Sequence, residues 1–203
     1  MARKPSPHSR PTPAQLAAAN NKRTVPDLLA PDLNVLFVGI NPGLWSGATG
    51  HHFARPGNRL WPALHQSGLT PRLLHPSEER ELLTLGLGMT KLVSRATATA
   101  AELSNAEVQR GGARIRRLVR KWKPGAVCFL GLGAYKQAYG LKRVTLGRQE
   151  ELFEGAALWV LPNPSGLNAN HQLGDFVKMF KELRDQSFPA FTASAAASTK
   201  LAR

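Results

Sequence analysis

Short apolar runs alternate along the chain with segments in which apolar residues recur at helical spacing. The runs lie at residues 34–39, 126–131 and 156–161, with a weaker run at 88–93. Each run is apolar on both faces, as the strands of a parallel sheet covered on both sides require. Strands separated by helices predict an α/β sandwich.

Four helices are predicted between and after these strands, at residues 58–68, 76–85, 104–122 and 172–185. Ser104 and Glu107 have the spacing of a capping box at the start of the third helix. Gly68 is placed where a glycine commonly ends a helix. Gly131 and Gly133 predict a tight turn from strand to helix, because the dinucleotide-binding fingerprint would need a further glycine and a downstream acid.

The chain has 203 residues, which is enough for one well-buried domain. Residues 1–31 are rich in proline and basic residues. In the range 186–203, the segment from residue 190 onward consists mostly of alanine, serine and threonine. Both compositions are too poor in large apolar side chains to build a packed unit, apart from one helical turn near residues 14–19. We therefore expect a folded domain at residues 32–185 between two disordered tails.

The net charge is +14, from 27 lysines and arginines against 13 acidic residues. This excess favours a polyanionic partner, because lysines and arginines that neutralise phosphates release condensed counterions. Nucleic acid is the leading candidate. An anionic membrane surface and simple solubility are the alternatives.

Cys128 is the only cysteine and lies within an apolar run, so neither an intramolecular disulfide nor an all-cysteine metal site can form. The six histidines show no ligand spacing, and we expect no metal and no cofactor. No run approaches the roughly 20 apolar residues that cross a bilayer, and the basic start lacks the apolar segment of a signal peptide. We expect a cytoplasmic protein without membrane association, located at the nucleoid in a prokaryote or in the nucleus in a eukaryote.

Two loops place an asparagine, a proline and a glycine where a predicted strand ends, at residues 39–43 and 163–167. The carboxyl ends of parallel strands border the ligand crevice, so both loops are expected to face one site. The Asn41 amide takes up no proton, yet its oxygen can hold a water and its nitrogen can orient a substrate. This suits loss of a stabilised anion from a sugar carbon, a reaction that needs no strong base. An ordinary turn is the alternative for each loop.

Leu167 falls at the tip of the second loop, among small and polar residues. An apolar side chain at such a tip can act as a wedge between base steps in DNA. The alternative is a leucine folded back onto the core. The neighbouring polar residues favour exposure.

These loops belong to four ordered blocks that resemble the mismatch-specific uracil-DNA glycosylase and thymine-DNA glycosylase family. The blocks are residues 39–43, 53–61, 90–93 and 159–167, and the resemblance spans about residues 32–185. It implies a three-layer α/β/α sandwich around a short, mostly parallel sheet. It also implies hydrolysis of the N-glycosidic bond of uracil in double-stranded DNA, with a preference for G·U mismatches.

The resemblance implies a role for each candidate site residue. Asn41 resembles the residue that positions the attacking water, and Phe53 resembles the aromatic residue on which the flipped base stacks. The implied base pocket also contains Ile40, Gly43, Ser46, Lys91 and Asn163. A cap serine and a surface lysine are the alternatives for Ser46 and Lys91. The implied DNA-contacting and intercalating residues are Ser165, Gly166, Leu167, Asn168 and Asn170.

Three places depart from the pattern of the family. Ala169 stands where relatives carry an arginine after the wedge leucine, so strand insertion is expected to be weaker or to use His171. Ser94 stands where relatives often carry an acidic residue. His51 and His52 precede Phe53 where some relatives have less polar residues, which changes the expected selectivity of the pocket. Solvated loop histidines are favoured, and a direct catalytic role is the alternative.

The residues and the resemblance together predict a monomeric, monofunctional enzyme that flips uracil out of the duplex and leaves an abasic site. Turnover is expected to be slow, because the first loop contains no carboxylate to deprotonate the water. If a carboxylate assists, Asp175 and Glu102 are the candidates. A non-catalytic module that recognises mismatched DNA is the main alternative. A small-molecule enzyme using the same crevice is disfavoured by the basic core.

Overall fold

A computed structural model describes residues 10–188, which form one sheet with helices on both faces. The strands are β1 (Val35–Gly39), β2 (Leu87–Lys91), β3 (Ala126–Leu130), β4 (Gly147–Phe153) and β5 (Ala156–Leu161). The helices are α1 (Pro13–Ala19), α2 (Leu44–Thr49), α3 (Leu60–Gln66), α4 (Glu81–Thr84), α5 (Asn105–Trp122), α6 (Leu132–Tyr139) and α7 (Leu173–Ser187). Short 3-10 turns lie at Pro76–Glu78 and Ala100–Glu102.

The strand order is β2-β1-β3-β5-β4. β4 runs antiparallel to β5, and all other neighbouring strands are parallel. Val35 at the start of β1 lies opposite Leu87 of β2 and Ala126 of β3, and Ala126 lies opposite Ala157 of β5. This register brings the carboxyl ends of four strands to the same edge of the sheet.

Successive residues of each strand point to opposite faces of the sheet and enter two separate cores. On one face Phe37, Met89 and Trp159 pack with α3 and α7. On the other face Phe129 and Val160 pack with α5 and α6. The three-layer α/β/α sandwich that the resemblance implied is therefore confirmed.

Three of the four predicted helices form, with shifted ends. α5 begins with the predicted capping box, in which the Ser104 side chain accepts the Glu107 N–H and the Glu107 side chain returns to the Ser104 backbone. Gly68 follows α3 with a φ of +77°, as expected of a helix-ending glycine. The segment predicted as one helix at 76–85 is a 3-10 turn followed by the short α4. Glu79 lies between these two elements and turns its carboxylate inward.

One strand and one helix, β4 and α2, were not among the predicted elements, and α6 was predicted only as a helix without bounds after the turn at Gly131. β4 lies at the edge of the sheet with most of its residues exposed or half-buried, so it lacks the continuous apolar run of a covered strand. α2 has only six residues and begins directly after the first asparagine loop. α6 follows the predicted turn at Gly131, where φ is +140°.

Residues 10–31 belong to the packed unit, in contrast to the tail that their composition favoured. Ala19, Val25 and Leu28 are buried, and Leu28 exchanges two backbone hydrogen bonds with Met89 at 2.8 and 3.0 Å. Isolated apolar residues among polar ones give no periodic signal, because each fills a separate site on a core built elsewhere. The remainder of the two predicted tails, residues 1–9 and 189–203, lies outside the described residues.

Helix α5 approaches its neighbours closely at two consecutive glycines. A Cβ on Gly111 would meet the Leu92 carbonyl oxygen and lie 2.8 Å from the Leu92 carbonyl carbon. A Cβ on Gly112 would lie 2.9 Å from the Ala138 carbonyl oxygen in α6. The missing side chains therefore let α5 pack against backbone on both sides and hold the segment that follows β2.

We expect Gly111→Ala to lower the free energy of unfolding by about 1–3 kcal/mol, the usual cost of forcing extra volume into packed space. Gly133→Ala in α6 is the matched control, because nothing lies within 4 Å of its added Cβ. Alanine is favoured over glycine within a helix by roughly 0.5–1 kcal/mol, so this variant should be as stable as the wild type or more stable. Chemical denaturation compares the two. Equal unfolding free energies would contradict the close packing of α5.

Candidate active site

A cleft of about 880 Å³ opens at the edge where the carboxyl ends of the parallel strands meet. Its walls come from the segments that follow β1, β2 and β5. Every predicted site residue except Asn170 lines it, namely Ile40, Asn41, Gly43, Ser46, Phe53, Lys91, Asn163, Ser165, Gly166, Leu167 and Asn168. Asn170 is exposed on the same loop outside the cleft. The two asparagine loops therefore face one space, as the sequence predicted.

The Asn41 side chain is held by its amide nitrogen. Nδ2 donates to the Pro42 carbonyl oxygen at 3.1 Å, the Arg95 carbonyl oxygen at 3.1 Å and the Thr97 hydroxyl at 2.7 Å. Carbonyl oxygens only accept, so these partners determine which end of the amide is nitrogen. Oδ1 is the end left to accept a hydrogen bond from a molecule in the cleft.

Thr97 holds the first loop in place, a role that no pattern in the sequence indicates. Its N–H donates to the Pro42 carbonyl oxygen at 3.1 Å, and it forms a parallel bridge with Gly43. Its hydroxyl donates to the Thr99 carbonyl oxygen at 2.7 Å, which leaves only acceptor positions for Asn41. The sequence around Thr97 is rich in alanine and threonine and does not indicate this role, because the partners of Thr97 in the first loop are distant in sequence.

Phe53 supplies an apolar wall of the cleft. Its backbone adopts a φ of +50°, which is rare for a bulky residue. Its ring lies against the end of β1, since a Cβ on Gly39 would be only 3.1 Å from Phe53 Cζ. The ring packs partly on the core and remains partly exposed. Gly39 thus makes room for an aromatic surface that borders the cleft.

Ser46 and Ile40 shape the pocket from either side of Asn41. Ser46 is buried in α2, and its Oγ accepts the Ala54 N–H at 3.1 Å, so it holds the loop that carries Phe53. It is not the N-cap of α2, which is Gly43. Ile40 is half-buried and lies near Gly131, where an added Cβ would come within 3.2 Å of Ile40 Cδ1.

Lys91 is buried rather than at the surface, with 4% of its area exposed. Its ammonium group donates to the Asp27 carboxylate at 2.9 Å and to the Val25 carbonyl oxygen. Burial lowers the pKa of Lys91, and the Asp27 charge opposes that effect. Burial raises the pKa of Asp27, but Lys91 and Arg114 outweigh it, so the pKa is lowered overall. The segment before residue 32 therefore provides the counter-ion for a cleft lysine.

The second asparagine loop is held by its own polar groups. Asn163 Oδ1 accepts the Ser165 N–H at 3.0 Å, and the Asn168 side chain donates to the Asn163 carbonyl oxygen at 2.9 Å. Asn168 Oδ1 in turn accepts the Asn170 N–H at 3.0 Å. The side-chain oxygen of Asn163 is thus bound to the Ser165 N–H. Asn163 Nδ2 is the end of the amide that can donate to a molecule in the cleft.

Arg59 ties the second loop to the start of α3. Its Nη1 donates to the carbonyl oxygens of Ser165 at 2.8 Å and Asn168 at 3.0 Å, and its N–H donates to the Pro164 carbonyl oxygen at 2.9 Å. Arg59 lies within one of the four family-like blocks, but the sequence alone gave it no role. The block that carries Phe53 therefore also positions the predicted intercalation loop.

Leu167 projects from this loop and is 74% exposed. The alternative that it folds back onto the core is therefore wrong. Gly166 beside it packs backbone to backbone, since an added Cβ would lie 2.7 Å from the Gly57 carbonyl oxygen. The loop tip thus presents an exposed apolar side chain, while the backbone beside it is held against the Gly57 backbone.

A buried pair of His52 and Glu79 borders the cleft. The sequence drew attention to His52 but not to Glu79. His52 and Glu79 are each 4% exposed, so the expectation of a histidine in solvent does not hold for His52. Glu79 accepts the His52 N–H at 2.7 Å, His52 Nδ1 at 2.9 Å and His51 Nδ1 at 3.1 Å. Burial raises the pKa of Glu79, but these histidine interactions outweigh it and lower the pKa overall.

The two carboxylates considered as auxiliary bases serve as helix caps and do not line the cleft. Asp175 accepts the Gln172 N–H at 2.7 Å, and Glu102 accepts the Thr99 N–H at 2.7 Å. His171, considered as a substitute for the missing arginine, packs its ring edge-on against Phe176 at 6.3 Å. None of these three side chains is among the residues that line the cleft.

Within residues 10–188, no group of three or more histidine, cysteine or acidic side chains is arranged to hold a metal ion. None of the helices in this range is long and apolar enough to cross a membrane. Cys128 is fully buried in β3, and burial raises the pKa of its thiol. Its thiol is consequently part of the core.

The sequence profile of the uracil DNA glycosylase superfamily matches residues 26–185. The matched range contains all five strands, both asparagine loops and Asp27, and it begins before residue 32, as the packing of the N-terminal segment does. Enzymes of this superfamily are hydrolases that act on uracil in DNA. The fold, the paired loops at its strand ends and this match agree, and the chain belongs to the uracil DNA glycosylase superfamily.

Proposed function

We propose that the protein is a monofunctional, mismatch-specific uracil-DNA glycosylase that attacks the deoxyribose C1′ with a water held by Asn41. The observation that carries the proposal is the tether of Asn41 Nδ2 to the Pro42 and Arg95 carbonyl oxygens and the Thr97 hydroxyl. It leaves Oδ1 as a fixed acceptor on the wall of the cleft. A fixed acceptor positions a water without needing to change its protonation state.

The chemistry follows from the absence of a base at this position. A neutral amide does not deprotonate water, so the bond between C1′ and the base must be largely broken before the water adds. The sugar then carries oxocarbenium character and the departing uracil carries negative charge. Catalysis rests on holding the water and stabilising the anion by fixed dipoles, and turnover is slow.

The base pocket accepts a nucleotide that has left the helix. An extruded base loses its stacking neighbours, and the partly exposed Phe53 ring offers a replacement surface. Asn163 Nδ2, whose amide oxygen is already bound to the Ser165 N–H, can donate to a carbonyl oxygen of the base. Leu167 fills the space that the base vacates. Extrusion costs least where pairing is weak, which favours uracil in a G·U mismatch over uracil paired with adenine.

The monofunctional assignment rests on the state of Lys91. A glycosylase that also cuts the strand uses a free amine to attack C1′. Among the described residues that line the cleft, Lys91 is the one with a primary amine, and that amine is bound by Asp27 and the Val25 carbonyl oxygen. The product is therefore an abasic site in an intact strand.

We expect Asn41→Ala to reduce single-turnover excision of uracil from G·U duplexes by roughly a hundredfold or more, as loss of one positioned catalytic group usually does. Binding to the same duplex should change little, because Asn41 is not a phosphate contact in this account. The matched control is Asn105→Ala, which removes an asparagine of α5 that does not line the cleft. Wild-type rates in Asn41→Ala would exclude the proposed role. A wild-type protein that binds the mismatch but frees no base would instead indicate a recognition module.

Leu167→Ala should lower excision from duplex DNA by about tenfold, which corresponds to about 1.4 kcal/mol of lost transition-state stabilisation. Excision from single-stranded DNA should be nearly unchanged, since no gap in a stack needs filling there. Leu152→Ala is the matched control, because Leu152 is 65% exposed on β4 and lies outside this cleft. Equal losses on duplex and single-stranded substrates would contradict intercalation by Leu167.

A further inference from the structure

The Asn41 amide is held by a short segment that follows β2. Within this segment, the Arg95 carbonyl oxygen accepts Asn41 Nδ2 at 3.1 Å, and the Thr97 hydroxyl accepts it at 2.7 Å. The amide can therefore be placed no more firmly than the backbone of this segment. A displacement of about 1 Å at a reacting centre can slow a reaction about a hundredfold. The groups that fix residues 95–97 thus bear on the reaction.

The Arg95 side chain does not line the cleft, and it makes four hydrogen bonds elsewhere. Nε donates to Glu107 Oε1 at 2.7 Å and Nη2 donates to Glu107 Oε2 at 3.0 Å, so the guanidinium and the carboxylate form two parallel bonds. Nη2 also donates to the Glu102 carbonyl oxygen at 2.9 Å, and Nη1 donates to Asn21 Oδ1 at 2.8 Å. These bonds occupy most of the N–H donors of the guanidinium.

The partners of Arg95 come from three other parts of the chain. Glu107 belongs to the capping box of α5, Glu102 ends the 3-10 turn at Ala100–Glu102, and Asn21 follows α1. The hydrogen bond from Arg95, together with those from Ser104, lowers the pKa of Glu107 to about 2. The pair is therefore charged at neutral pH, and charged hydrogen bonds are the stronger kind.

The N-terminal segment also pairs directly with this backbone. The Ala96 N–H donates to the Lys22 carbonyl oxygen at 2.9 Å, and the Asn21 N–H donates to the Ala96 carbonyl oxygen at 2.8 Å. Asn21 lies before residue 26, where the match to the superfamily profile begins. Because these backbone bonds do not involve the Arg95 side chain, its loss should loosen residues 95–97 without releasing them.

We propose that Arg95 is a positioning residue for Asn41, and that its guanidinium fixes the backbone carbonyl oxygen that holds the Asn41 amide. This inference rests on the proposed glycosylase function. The Arg95 side chain is bound by Glu107 and Asn21 outside the cleft, so it has no part in holding the base or the water. We expect its effect on the reaction to pass through Asn41.

The test is a double-mutant cycle on single-turnover excision from a G·U duplex, with Arg95→Gln introduced into the wild type and into Asn41→Ala. A residue that acts only through a second residue has no effect once that second residue is absent. Arg95→Gln should therefore slow excision about tenfold in the wild type and leave the residual rate of Asn41→Ala unchanged. An unchanged rate in the first background, or an equal loss in both, would overturn the proposal.

A second readout does not depend on catalysis. The side-chain NH2 resonances of Asn41 are identified in a nitrogen–proton NMR spectrum by their absence in Asn41→Ala. In Arg95→Gln these protons should exchange with water about tenfold faster than in the wild type, because one of their acceptors is held less firmly. Equal exchange rates would contradict the positioning role. If the wild type frees no base, the glycosylase function fails, and the exchange rates alone decide whether Arg95 positions Asn41.

Arg116→Gln is the matched control, because it also removes an arginine that is paired with a glutamate. Arg116 Nη1 lies 2.8 Å from Glu154 Oε1, and neither residue lines the cleft. This variant should excise uracil at the wild-type rate, and thermal unfolding verifies that each variant is folded at the assay temperature.

Arg95→Lys separates positioning from charge. It keeps the positive charge but not the planar group that reaches three partners, so it should recover only part of the rate that Arg95→Gln loses. Binding to abasic duplex should be the same in Arg95→Gln and the wild type. Full recovery by lysine, or weaker binding with a smaller salt dependence in Arg95→Gln, would indicate a phosphate contact and would overturn the positioning role.

Discussion

The three hydrogen bonds donated by the Asn41 amide nitrogen connect the fold to its chemistry. They join the loop after β1 to the segment after β2, through the Arg95 carbonyl oxygen and the Thr97 hydroxyl. This arrangement requires the two strands to be adjacent and to end at the same level, which the parallel register of Gly39 with Lys91 provides. The Asn41 amide is consequently held between two adjacent strands of the sheet.

Buried charge around the cleft is neutralised by short chains of partners. Lys91 is paired with Asp27, and Asp27 is paired with Arg114 of α5. Glu79 is paired with two histidines, His51 and His52. Unpaired buried charges would be costly, so each pair fixes its loop relative to a neighbouring element. The cleft is therefore supported by the N-terminal segment and the turn before α4 as well as by the sheet.

The sequence predicted the parts of the fold that depend on continuous patterns. Strands buried on both faces and a helix with a capping box leave local signals, and so do asparagine loops at strand ends. β4 was missed because an exposed edge strand has no apolar run, and Thr97, Glu79 and Asp27 were missed because their roles depend on partners distant in the chain. The sequence favours a solvated His52, since nothing near it in sequence indicates that Glu79 would accompany it into the interior.

We have proposed that Asn41 Oδ1 holds the attacking water. The most direct measurement is a crystal structure of the wild-type protein with a duplex in which 2′-fluorodeoxyuridine, a substrate that resists cleavage, stands opposite guanine. We expect uracil stacked on Phe53 and an ordered water about 3 Å from Asn41 Oδ1, in line with the bond between C1′ and the base. A structure in which Oδ1 contacts the base itself, with the water held by another group, would contradict it.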